Sequence, residues 1–68
     1  MTGLDCALRE AHSAHDPASL ARLYVRAAED VAPDAAAFFR TQAWIFALEA
    51  GLPLAARLEA ELRQAGRA

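Results

Sequence analysis

The scarcity of β-branched residues is the feature that most constrains the fold. Only five of the 68 residues are of this type, namely Thr2, Val25, Val31, Thr41 and Ile45. Such residues favour strands, whereas the 19 alanines and nine leucines favour helices. A chain of this length has room for one domain. The sequence therefore predicts a single all-α domain spanning residues 1–68.

Prolines and glycines divide the chain into about four short helices. Asp16-Pro17 and Pro33-Asp34 are typical helix starts, because aspartate caps a helix and proline lacks an N–H that the first turn would leave unpaired. Gly51 is a typical helix end, Pro53 restarts the chain, and Gly66 ends the last helix. Connections of two or three residues require neighbouring helices to fold back on each other. We therefore expect antiparallel helices that form two αα-hairpins in a small bundle.

The third predicted helix, residues 35–50, is apolar on more than one side. Only Arg40 and Glu49 are charged along it, whereas the other three helices each have a single apolar stripe. Helical spacing gives it a first apolar face, which we assign to the core: Phe38, Phe39, Ile45, Phe46 and Ala50. A second face consists of Ala37, Thr41, Trp44 and Leu48. Because the single stripes do not easily cover both faces, the second is the predicted partner interface; the alternative is that Trp44 and Leu48 are internal.

A faint internal repeat accompanies these helices. Ala21-Arg22-Leu23 recurs as Ala56-Arg57-Leu58, and Pro17 and Pro53 open the two helices concerned. The offset of about 35 residues resembles that of tetratricopeptide-type helical hairpins, as does the turn region at residues 47–51. The resemblance implies a helical interaction module. Aligning Gly51 with the turn glycine of that family puts Trp44 where the family has a small residue. The resemblance is carried by general helical features and implies no binding residues.

Composition restricts the cellular setting. A net charge of −2 with interspersed arginines gives no basic patch, so we expect no nucleic-acid partner. The longest uncharged run, residues 41–48, is far shorter than the roughly 20 residues of a membrane helix, so we expect no membrane insertion. Because Asp5, Arg9 and Glu10 interrupt the apolar residues near the N-terminus, we expect no signal peptide. The single cysteine, Cys6, suits a reducing compartment. The predicted location is cytoplasmic, and the alanine and arginine bias indicates a bacterial source.

A histidine pair offers the main alternative to a protein interface. His12 and His15 are three residues apart, so both side chains would lie on one side of a helix and could provide two metal ligands, with Asp16 nearby. A stable zinc site needs further ligands, and the sequence places none close by. A helix-end pair favoured by the helix dipole is the simpler interpretation. We therefore predict no metal and no cofactor, and keep a small metal-binding or ligand-binding bundle as the alternative.

Nothing in the sequence indicates catalysis. The three glycines stand apart, so there is no phosphate-binding loop. Most carboxylates share exposed helix faces with arginines, which is typical of a solvated surface. We therefore expect a non-enzymatic protein–protein interaction module, acting as a homo-oligomer or as a small accessory subunit of a larger bacterial complex.

Overall fold

A computed structural model describes residues 2–66 and contains four α-helices in that range. They are α1 (Thr2–Ser13), α2 (Pro17–Ala27), α3 (Pro33–Ala50) and α4 (Leu54–Gln64), with a short 3-10 helix at Ala28–Asp30 between α2 and α3. Residues 2–66 include no strand, which confirms the all-α prediction. Within the same range, no helix combines the length and the apolar character that crossing a bilayer requires.

The helix ends follow the local chemistry of the sequence. Asp16 caps α2, because its carboxylate accepts the backbone N–H of Ser19 at 3.2 Å. Gly51 ends α3 in the left-handed conformation, with φ +69°. His15 adopts that conformation after α1, with φ +52°. Helix α3 begins at Pro33, two residues earlier than predicted, because proline is itself a favourable first helical residue.

Each helix packs mainly against its neighbours in sequence. The packed pairs are α1 with α2, α2 with α3, and α3 with α4. The Cα envelope is flat, at 31 × 27 × 12 Å, and its short dimension is close to the width of one helix with its side chains, about 10–12 Å. Helix α3 therefore has neighbours on two sides, and part of its circumference faces solvent.

Alanines account for eight of the eleven buried hydrophobic residues among residues 2–66. The central cluster joins α2, α3 and α4 and consists of Ala21, Ala43, Ala47, Ala55 and Leu58. Short side chains let helix axes approach closely, since the side chains at a crossing set the distance between the axes. The largest fully buried side chains are Leu58 and Leu62, both on α4.

This alanine contact corrects the predicted core face of α3. Helical spacing predicts that Phe38 and Ile45 lie in the core, but they are 59% and 45% exposed. The residues that face the other helices most closely are Ala36, Ala43 and Ala47. Hydrophobicity alone favours the larger side chains for the core, whereas the most buried positions of α3 are alanines, because helices that pack closely leave room only for small side chains where they cross.

Aromatic rings join α1, α2 and α3. The rings of Tyr24 and Phe46 stack with centroids 5.9 Å apart and planes 7° from parallel, and Tyr24 also stacks on Phe39 at 6.0 Å. The ring of His12 in α1 contacts Phe46 edge to face, with ring centroids 5.9 Å apart. Phe38 contacts Phe39 edge to face at 5.7 Å, although it is largely exposed. The aromatic group thus runs from α1 to the solvent-facing side of α3.

Candidate interaction surface

The outer side of α3 exposes large apolar side chains in a row. Phe38, Ile45 and Leu48 are three of the four large hydrophobic residues that are exposed among residues 2–66, and Leu48 is 57% exposed. With the half-buried Thr41 they follow a spacing of three, four and three residues, which places all four on one side of a helix. We call Phe38, Thr41, Ile45 and Leu48 the α3 strip.

Thr41 does not interrupt the apolar character of the α3 strip. Its hydroxyl group donates a hydrogen bond to the backbone carbonyl of Ala37, one turn earlier in the helix, at 2.9 Å. The hydroxyl proton is therefore satisfied inside α3. A partner that covered Thr41 would not have to supply an acceptor for it.

Carboxylates mark the two ends of the α3 strip. Asp34 lies four residues before Phe38, Glu49 lies four residues after Ile45, and both are exposed. The only cation of α3 is Arg40, which belongs to a different side of the helix. Its Nε atom lies 3.9 Å from a carboxylate oxygen of Glu61 on α4. The outward side of α3 is thus apolar in the middle and acidic at both ends.

The residues predicted as a partner interface divide into two groups. Thr41 and Leu48 belong to the α3 strip, whereas Ala37 is buried. Trp44 is half-buried and packs against the central cluster, and its ring Nε1 atom is fully covered without a hydrogen-bond partner. The position of Trp44 matches the alternative in which this residue is internal. Whether any of the four contacts another protein remains a prediction.

The two histidines of the alternative site are both exposed near the end of α1. The Nε2 atom of His12 lies 3.3 Å from the hydroxyl oxygen of Tyr24. A pocket of about 200 Å³ is lined by His12, His15, Pro17, Leu20, Phe46 and Glu49. That volume is below the roughly 300–1,000 Å³ of typical small-molecule sites. No group of three or more His, Cys, Asp or Glu side chains within residues 2–66 is arranged to hold a metal ion.

The arrangement of the helices is not specific to one protein family. Antiparallel helices joined by short turns occur in many unrelated proteins, because the connection length alone favours them. The similarity of the repeated segments to tetratricopeptide-type hairpins therefore stays an expectation from the sequence. No protein-family model, curated protein or solved structure was found to match this chain.

Proposed function

We propose that this protein is a non-enzymatic helical module that binds another protein chain through the α3 strip. It would serve as a small accessory subunit of a larger bacterial complex or as a homo-oligomer, in the cytoplasm. The single observation that carries the proposal is the row of Phe38, Ile45 and Leu48, which are between 45% and 59% exposed on one side of one helix. The residues predicted from the sequence contribute Thr41 and Leu48 to this surface.

The energetics of burial support the proposal. Covering apolar surface contributes roughly 25 cal/mol per Å², and single exposed hydrophobic residues are common, whereas a contiguous row is typical of an interaction site. Large side chains flanked by smaller contacts that exclude water often dominate the affinity of an interface. Ile45 is the candidate for that role, since it is exposed in the middle of the α3 strip beside Thr41.

The support that α3 receives from the rest of the fold also favours binding. Helices α2 and α4 pack against it, and Gly51 terminates it with a backbone N–H bonded to the carbonyl of Leu48 at 3.2 Å. A surface built on a supported helix is already in its binding conformation, so little backbone entropy is lost on association. Phe38 is further restricted by its edge-to-face contact with Phe39.

The test compares substitutions on and off the α3 strip. Wild type, Ile45→Glu and Ala60→Glu are purified, and sedimentation velocity measures self-association while affinity capture from a lysate of the source organism measures binding of other proteins. Ala60 is an exposed residue of α4 and serves as the matched control. A glutamate in a dry interface costs far more than one on an exposed surface. We expect Ile45→Glu to abolish the association that Ala60→Glu retains, with circular dichroism unchanged in both.

Two results would contradict the proposal. One is a wild-type protein that stays monomeric and captures no partner in stoichiometric amount. The other is an association that Ile45→Glu and Ala60→Glu affect equally while both variants remain helical. Either result would mean that the exposure of the α3 strip has no binding role.

A further inference from the structure

We infer that the α3 strip binds a basic amphipathic helix of another protein rather than a second copy of this chain. The inference rests on the proposed function and adds the chemistry of the partner. Its evidence is the spacing of the apolar residues and the sign of the charges around them.

The spacing of the α3 strip suits a helix as the occupant. Phe38, Thr41, Ile45 and Leu48 repeat at three and four residues, which is the pattern that two helices use when they lie side by side. At 1.5 Å per residue the strip is about 15 Å long, or three helical turns. An amphipathic helix that places its own apolar stripe on such a surface is an established mode of peptide recognition.

The charges at the ends of the α3 strip favour a partner helix that carries positive charge. Asp34 and Glu49 lie at its two ends, and Glu29 and Asp30 are exposed just before α3 begins. The one arginine of α3, Arg40, lies beside Glu61 and away from the strip. A docked helix would therefore place its flanking residues near carboxylates. Lysine or arginine at those positions would be attracted, whereas aspartate or glutamate would be repelled.

A second copy of the chain fits the same surface poorly. In an antiparallel pairing that sets Phe38 against Leu48 and Thr41 against Ile45, Asp34 of one copy comes within one turn of Glu49 of the other. In a parallel pairing each carboxylate meets its own counterpart. Both arrangements bring like charges together at the ends of an apolar contact, which opposes association. An anionic lipid surface is disfavoured for the same reason.

The experiment uses two designed peptides as probes. Each has about 18 residues, or five helical turns, with leucine at the a and d positions of a heptad repeat. One peptide carries lysine at the flanking e and g positions and the other carries glutamate. Fluorescence anisotropy of labelled peptide measures the Kd for the wild-type protein at neutral pH. We expect the lysine peptide to bind about tenfold more tightly, since each rim charge pair contributes a modest increment.

Matched charge variants identify where the preference arises. Glu49→Lys changes an end of the α3 strip, and Glu10→Lys makes the same change in net charge at an exposed position of α1. We expect Glu49→Lys to remove most of the preference for the lysine peptide, and Glu10→Lys to retain it. If the two variants lose the preference equally, the attraction depends on net charge alone and the inference is wrong.

The remaining outcomes separate this inference from the proposed function. If both peptides bind equally and Ile45→Glu abolishes both, the strip is a docking surface but the partner need not be basic. If Ile45→Glu leaves peptide binding unchanged, or neither peptide binds, the strip is not a docking surface for a basic helix and this inference is overturned. The proposed function is tested separately, by the comparison of Ile45→Glu with Ala60→Glu. A wild-type dimer in sedimentation equilibrium that Leu48→Glu dissociates would show that a second copy is the occupant.

Discussion

Both carboxylate oxygens of Asp16 accept hydrogen bonds from Ser19. The backbone N–H of Ser19 lies 3.2 Å from Oδ1, and its hydroxyl group lies 2.8 Å from Oδ2. These bonds hold the pKa of Asp16 below its ordinary value of 3.8. The bond from the Ser19 hydroxyl group has the larger effect, and the bond from the backbone N–H has the next largest. Because these bonds favour the ionised carboxylate, the cap of α2 depends on the charge of Asp16.

Acid should therefore weaken the fold partly through this cap. A carboxylate with a lowered pKa in the folded state contributes stability that is present above the unfolded pKa and is lost as the pH falls through the folded pKa, which for Asp16 lies below 3.8. Asp16→Asn keeps an acceptor for the backbone N–H but has no charge to lose. We expect the Tm advantage of wild type over Asp16→Asn to be constant near neutral pH and to shrink below about pH 4. Thermal melts by circular dichroism measure the difference, and an advantage that persists in strong acid would exclude this role for Asp16.

Leu58 and Leu48 both lie within α-helices, but truncation of their side chains should have very different effects on stability. Leu58 is 1% exposed in the central cluster, whereas Leu48 projects from the α3 strip. Leu58→Ala should lower the free energy of unfolding by about 2–5 kcal/mol, and Leu48→Ala by only about 0.5 kcal/mol. In a domain whose total stability is of order 5 kcal/mol, the first change approaches unfolding. Urea titrations followed by circular dichroism give both values, and equal losses would mean that Leu58 is not packed in the core.

The sequence predicts the helices well because their ends depend on local chemistry. Asp16-Pro17 and Gly51 act through groups within a few residues, so their caps could be read before any tertiary contact was known. The paired charges of α4 are equally local: Arg57 lies 3.8 Å from Glu61, and Arg63 lies 2.8 Å from Glu59. Such features need only the helical spacing of three and four residues.

The candidate surface was less accessible to prediction because it depends on tertiary packing. The apolar residues of α3 cover most of its circumference, so periodicity alone cannot tell which side faces the other helices. Ala36, Ala43 and Ala47 form the side of α3 that faces the other helices. A series of alanines predicts such a side only when the helices are known to pack closely. With the alanines inside, Phe38 and Ile45 face outward. Because periodicity leaves the rotation of α3 undetermined, the predicted interface includes the half-buried Trp44, whereas the exposed residue is its neighbour Ile45.

His15 stores backbone strain that glycine would relieve. It occupies the left-handed region at φ +52°, and Asp16 N–H bonds to the carbonyl of Ala11 at 3.1 Å to close the end of α1. A side chain in that conformation costs about 1–2 kcal/mol. Glycine removes this strain, but it loses more conformational entropy on folding, which offsets part of the gain. His15→Gly should therefore raise the free energy of unfolding by about 0.5–1 kcal/mol, as measured by chemical denaturation.

The reciprocal substitution at the end of α3 tests the same reasoning. Gly51 has φ +69°, and a Cβ atom added there would meet no other atom within 4 Å. Gly51→Ala should thus destabilise by about 1 kcal/mol through the backbone alone. If His15→Gly destabilises as well, the His15 side chain makes a contribution that outweighs its backbone strain.

Trp44 should tolerate the loss of its ring nitrogen better than the loss of its bulk. The ring packs against the central cluster, but Nε1 is covered without an acceptor, and an unpaired buried donor costs about 1–3 kcal/mol. Trp44→Phe removes that cost while retaining much of the apolar contact, so its stability should lie within about 1 kcal/mol of wild type. Trp44→Ala should lose about 3–5 kcal/mol. Urea denaturation of the three proteins distinguishes these effects. A loss in Trp44→Phe well above about 1 kcal/mol would indicate that the ring nitrogen has a partner in solution. A negligible loss in Trp44→Ala would place the side chain outside the core.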